Sequence, residues 1–137
     1  MNTHAAALIP LLLGAVALAG CESMAVTAFG VGASTGVSHT MNGIAYRTFT
    51  LPRAKVKLGA INAMARMGFK IGSERGKGSS ETVLAKANDR EIEVELESLS
   101  PTSTRMRTVV KQGLFYDSAT AVEIILQTES ALAHSPT

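Results

Sequence analysis

Residues 90–111 read REIEVELESLSPTSTRMRTVVK, and this stretch decides the fold. Ile92, Val94 and Leu96 alternate with Glu91, Glu93, Glu95 and Glu97. A period of two sends successive side chains to opposite sides of a strand, so one face is apolar and the other wet. Beyond a turn at Ser100-Pro101-Thr102, Arg105, Arg107 and Lys111 recur with the same parity. Setting Glu97 opposite Arg105 brings Glu95 to Arg107 and Glu91 to Lys111. The same register sets Leu96 against Met106 and Ile92 against Val110. One alignment thus satisfies both faces, and a slip of one residue breaks both. Cross-strand charge pairs of this kind contribute about 0.2–1 kcal/mol each.

Working upstream, Asn88-Asp89 suits a two-residue turn that needs positive φ. It aligns Ala87 with Arg90, Lys86 with Glu91, Ala85 with Ile92 and Val83 with Val94. Gly72 to Ser80 is rich in Gly and Ser and reads as a loop, following a short strand at Phe69-Lys70-Ile71. Ile44 to Thr50 reads as the first strand of the domain. A helix follows, with Thr50 as its cap and Pro52 in its first turn. Ala54, Leu58, Ile61 and Ala65, with Met64 beside them, form its expected buried stripe. Arg53, Lys55, Lys57, Asn62 and Arg66 take the other faces, and Gly68 ends the helix. Downstream, Asp117 is a good cap for a last helix reaching Leu132, with Val122, Ile125, Leu126 and Leu132 as its apolar stripe. The order strand, helix, four strands, helix predicts an α+β two-layer sandwich. Its antiparallel sheet has about five strands, with both helices on one face and the Glu/Arg side wet.

Composition excludes several functions. The net charge of +2 is too small to argue for nucleic acid, and aromatics at 4% without Trp give no stacking platform for bases or sugars. His4, His39 and His134 are too scattered to form a metal cluster. The Glu ladder does not converge on one ion, because alternate residues of a strand stand in a row. Gly72-Ser-Glu-Arg-Gly76-Lys77 has one residue too few between its glycines for a phosphate loop, and Gly78 stands where Ser or Thr is needed. No catalytic, cofactor or metal residues are nominated. The basic residues Arg53, Lys55, Lys57, Arg66 and Lys70 read as a solvated face, with anionic headgroups as the alternative partner.

The N-terminal segment carries the functional signal. Residues 5–19, AAALIPLLLGAVALA, hold no charge and precede Gly20 and Cys21, the single cysteine. The run is shorter than the roughly 20 residues of a bilayer span, and it matches the apolar core of a secretory signal. Leu18-Ala19-Gly20-Cys21 resembles the bacterial lipobox. The resemblance implies cleavage after Gly20, a diacylglyceryl thioether on Cys21 and acylation of its freed amine. Glu22 in place of Asp favours the outer membrane, on its periplasmic side. The expected divisions are a signal peptide at 1–20, a lipidated Cys and small-residue tether at 21–42, a domain at 43–133 and a tail at 134–137. Within the tether, Ala28, Gly32 and Gly36 fall four apart, a stripe on which a helix could pack if the segment is not simply flexible.

Taken together, these features resemble a small bacterial lipoprotein family, domain of unknown function 3568. The likeness rests on LAGC, the Gly/Ala-rich spacer, Tyr46-Arg47-Thr48-Phe49, the block LPRAKVKLGAINAMARMGFKI, and the Glu/Arg hairpin with its SPTSTRMR turn. Tyr116-Asp117 replaces an expected Gly-Asp at the entry to the last helix. The resemblance carries no activity, so Cys21 and its lipobox are the functional residues it implies. The expected function is a non-catalytic, lipid-anchored envelope module, with the membrane and an envelope protein or glycan as partners. The alternatives are an envelope hydrolase using carboxylates and a membrane-assembling module built on the small-residue stripe.

Overall fold

The computed structural model describes residues 39–135. The signal segment, the lipobox with Cys21 and the Ala28-Gly32-Gly36 stripe lie outside the described residues. In chain order the elements are β1 (His39–Met41), β2 (Ile44–Phe49), α1 (Arg53–Arg66), β3 (Lys70–Lys77), β4 (Ser80–Ala87), β5 (Arg90–Ser100), β6 (Ser103–Gln112), β7 (Phe115–Tyr116) and α2 (Ser118–Ala133). The strands form one antiparallel sheet in the order β1-β2-β6-β5-β4-β3, and β7 pairs with β6. Both helices pack on one face, giving the expected α+β two-layer sandwich.

The register is the one the charges dictate. Glu97 faces Arg105, Glu95 faces Arg107, Glu91 faces Lys111, Leu96 faces Met106 and Ile92 faces Val110. Across the other side of β5, Val83 meets Val94 and Ala85 meets Ile92. Asn88 adopts φ 50° in the intervening turn. Ile92, Val94 and Leu96 are buried with Val83, Met106, Val110, Phe49, Ile124 and Ile125. Each such side chain contributes roughly 1.5–3 kcal/mol relative to exposure.

The sheet is wider than its sequence pattern suggested. Gly72 to Ser80 is not a loop: β3 continues to Lys77, and the reversal occupies Gly78 and Ser79. Gly and Ser weaken a strand through entropy rather than forbid it, and here backbone bonds to β4 hold the segment in place. A register shift between Ile71 and Glu74 and several charged side chains blunt this edge against further pairing. The other edge is β1, which pairs His39, Thr40 and Met41 with Tyr46, Ala45 and Ile44 inside the segment read as tether.

Helix α1 buries a different face from the one its larger apolar residues suggested. Val56, Gly59, Ala60, Ala63 and Met64 are buried, Ala54 and Ala65 are exposed, Ile61 is half-buried, and Leu58 is 60% exposed. The small side chains face inward because α2 lies close. A Cβ on Gly59 would stand 2.8 Å from Leu132 Cγ. In α2 the buried set is Ala121, Ile124, Ile125, Thr128 and Ala131, with Val122 and Leu132 partly buried and Leu126 44% exposed. Pro52 rather than Thr50 occupies the N-cap of α1, and its carbonyl accepts from Lys55 and Val56 N–H. At the other end Gly68 takes φ +83°. Its N–H donates to Ala65 O and that of Phe69 to Met64 O, a Schellman closure with Met64 in the core and the half-buried Phe69 packed against it.

Three threonines lie in the core. Thr104 donates to Leu51 O and Thr128 to Ile124 O, whereas the Thr108 hydroxyl has no partner among the described residues. A buried hydroxyl left unbonded costs roughly 1–3 kcal/mol. Thr108→Val is therefore expected to raise the urea midpoint at unchanged slope, by about 1 kcal/mol of stability. Gly59→Ala is expected to destabilise by roughly 1–3 kcal/mol through overpacking. In a Leu132→Ala background the same change is expected to stabilise by up to about 1 kcal/mol through helix propensity. The four urea curves of this cycle measure the coupling directly.

Candidate functional site

The face of the sheet away from the helices is built of cross-strand rows. In one, Tyr46 stands opposite Arg107, Arg107 opposite Glu95, and Glu95 opposite Thr82. In the next, Ile44 stands opposite Val109, Val109 opposite Glu93, and Glu93 opposite Leu84. A third runs Tyr116, Lys111, Glu91, Lys86 and Lys70. Polar and apolar rows thus alternate, because strand geometry carries every second residue of each strand to this side.

The charges are largely matched where they stand. Arg107 Nη1 lies 3.2 Å from Glu93 Oε1 and 3.5 Å from Glu95 Oε2. Arg105 pairs with Glu97, and Lys86 lies 3.6 Å from Glu91. Burial opposes the charge on Arg107, but hydrogen bonds with Tyr46 and Glu93 outweigh it and raise the guanidinium above its ordinary range. Glu93, Glu95 and Glu97 are engaged by the arginines of β6, whereas Glu91, though opposite Lys111 in the register, takes its ion pair from Lys86 of β4. Among the described residues no group of three or more His, Cys, Asp or Glu could hold a metal ion.

This face also holds an apolar trough that the charge pattern concealed. Ile44, Leu84, Val109 and Tyr116 line a groove of about 330 Å³, rimmed by Lys86, Glu91, Glu93, Arg107 and Lys111. Val109 is 5% exposed although it points away from the helices. The signal lay in the pair Val109-Val110, one of which must face outward on any strand. Past the trough the chain turns at Gly113 and Leu114 into β7. Leu114 is 96%, Phe115 78% and Tyr116 55% exposed.

Asp117 closes this end of the sheet. Its carboxylate accepts from Thr120 N at 3.0 Å and from Thr120 Oγ1 at 2.6 Å, and Arg90 Nε lies 3.0 Å away. Its own N–H donates to Val110 O. The expected cap of the last helix is thereby also a clamp onto β5 and β6. The hydrogen bonds from the Thr120 hydroxyl and N–H, with Arg90 adding to them, hold the carboxyl below its ordinary 3.8.

On the helix side, Lys57 bonds Glu81 at 2.7 Å and Glu74 at 2.9 Å, and those bonds raise its ammonium above 10.5. Arg53 lies 3.6 Å from Glu81. Two of the five basic residues expected on a solvated face are therefore tied to the β3–β4 edge. Arg47, on the helix side of β2, pairs with Glu129 of α2 and sits 5.7 Å from the Phe49 ring centroid. No helix of the described residues is long and apolar enough to cross a membrane.

A family model matches residues 4–129, so the chain belongs to the family described as "Protein of unknown function (DUF3568)". The match takes in the N-terminal apolar run and Cys21 together with the whole sheet, α1 and most of α2. No curated protein matches the sequence.

Because the native carboxyl of Asp117 titrates below its ordinary value, its contribution is complete above 3.8 and drains as pH falls through the lowered native value. Asp117→Ala is expected to cost roughly 0.5–2 kcal/mol near neutrality. The gap between the two urea curves is expected to narrow at about pH 3, where the unfolded carboxyl is already protonated.

Proposed function

We propose that this protein is a lipid-anchored module of the bacterial cell envelope, held through acyl chains on Cys21 and presenting its open sheet face to an envelope protein or glycan. The family match that joins the Leu18-Ala19-Gly20-Cys21 segment to the folded domain supports this reading above all else. A thioether-linked diacylglyceryl group plus an amide-linked chain supplies three acyl chains. At about 0.8 kcal/mol per buried methylene, three chains hold a small domain stably where one does not. The role assigned is binding or support rather than catalysis. The carboxylates of the open face stand in a row and are engaged by Arg105, Arg107 and Lys86, so they do not converge on a reacting atom. Glu22, directly after the anchor, favours the outer membrane over the inner.

Radiolabelled palmitate and membrane fractionation test the anchor. The native chain is expected to take up label and sediment with membranes, and Cys21→Ser to lose both. An unlabelled native chain would refute the reading.

A further inference from the structure

The apolar row of the open face crosses four strands, through Ile44, Val109, Glu93 and Leu84 in turn. Three strand spacings of about 4.8 Å make it roughly 14 Å long. Its one charged member is drawn off the row, since Glu93 Oε1 lies 3.2 Å from Arg107 Nη1 in the row beside it. Val109 and the half-buried Ile44 and Leu84 are left to form the trough of about 330 Å³, with Tyr116 at its side. A second recess, of about 420 Å³, adjoins it. The two share Lys86, Glu91 and Lys111, and the second is otherwise lined by the Asn88-Asp89 turn, Arg90 and Gly113.

The row of charges between the two recesses is short of one carboxylate. In register Lys111 stands opposite Glu91, and Glu91 opposite Lys86, so a single carboxylate lies between two lysines. Glu91 pairs with Lys86 at 3.6 Å. Among the described residues no carboxylate lies within ion-pair distance of the Lys111 ammonium. The other cations nearby are committed, Arg107 to Glu93 and Glu95, and Arg90 to Asp117. Lys111 is therefore a spare positive charge set between an apolar trough and a polar recess.

Small-molecule sites are concave and mostly apolar, carry a few placed polar groups, and hold roughly 300–1,000 Å³. The trough meets that description at its lower bound. Its shape and charge narrow the occupant further. A peptide laid along the row would set its amides over apolar side chains, and every strand it crossed is already hydrogen-bonded on both sides. Those amides would be desolvated without partners. An acyl chain brings no such groups. The rim carries Lys86, Arg107 and Lys111 against Glu91 and Glu93, a surplus of one positive charge. A single carboxylate matches that surplus, whereas a doubly charged phosphate would meet two carboxylates for one spare cation.

We propose that the trough binds the acyl chain of a fatty acid, whose carboxylate pairs with Lys111 at the edge of the second recess. This ligand goes beyond the envelope role proposed above, and its binding does not depend on the Cys21 anchor.

The test is photolabelling of the full chain in phosphatidylcholine vesicles with a diazirine-bearing laurate, the adducts being located by mass spectrometry after digestion. Labelling is expected on the strand segments around Ile44, Leu84 and Val109 and to be removed by excess unlabelled laurate. Dodecyltrimethylammonium, of like chain and opposite charge, is expected to compete about threefold less well, the span of an exposed ion pair. Lys111→Met is expected to erase that difference, and Leu84→Gln, at a half-buried position on the open face, to reduce the labelling itself. Adducts gathered on Leu114 and Phe115, or spread over the helices, would overturn the site as mere partition onto exposed apolar groups. Trough adducts that survive excess laurate, or that Leu84→Gln leaves at full strength, would overturn it as well. Equal competition by the two amphiphiles would overturn the role of Lys111. A trough left unlabelled would overturn the proposal and leave the open face to an envelope protein or glycan.

Discussion

Every other part of this molecule is arranged around the pairing of β5 with β6. Ile92, Val94 and Leu96 can face the helices only if Glu91, Glu93, Glu95 and Glu97 face away, and the partner strand must then supply apolar groups on one side and cations on the other. Met106 and Val110 do the first; Arg105, Arg107 and Lys111 do the second. Two independent requirements share one alignment, so the register has no competitor of similar energy. β4 and β2 then add to its two sides, and the helices cover the apolar face that results.

The same constraint shapes what the open face can do. Because the charges are set by register, they meet their counterparts on neighbouring strands and leave little net field. What remains for recognition is apolar: the trough of Ile44, Leu84, Val109 and Tyr116, and the projecting tip beyond it. Asp117 ties this end together, since one carboxylate caps α2 and meets Arg90 while its N–H reaches Val110. The tip is thus mounted on a braced end of the sheet, although Leu114 and Phe115 themselves project into solvent.

The sheet and its order were legible in the sequence because alternation and charge matching are local and redundant. The turn at Asn88, the stop at Gly68 and the cap at Asp117 were legible because each depends on one residue's backbone or side-chain chemistry. The face of α1 was not. Its larger residues Leu58 and Ile61 suggested one stripe, but the nearness of α2 rewards Gly59, Ala60 and Ala63, and that distance is a tertiary fact. The start of β3 at Lys70 and Ile71 was read correctly, but its continuation to Lys77 was read as loop, because an edge strand is held by its neighbour's backbone rather than by its own side chains. The apolar trough was missed because its members come from four strands, one residue each. The proposed anchor at Leu18-Ala19-Gly20-Cys21 is a reading of linear sequence alone and lies outside the described residues.

Native-state hydrogen exchange tests the central claim most directly, because it reports which hydrogen bonds open only when the whole domain unfolds. If the β5–β6 pairing is the element on which the rest depends, amides from Ile92 to Leu96 and from Met106 to Val110 will be the slowest to exchange. Their opening free energy will equal the global stability measured in urea, and β1, β3 and β7 will open below it. Exchange from β5 and β6 at a lower free energy than from α1 and α2 would contradict the account and move the organising interaction to the helix pair.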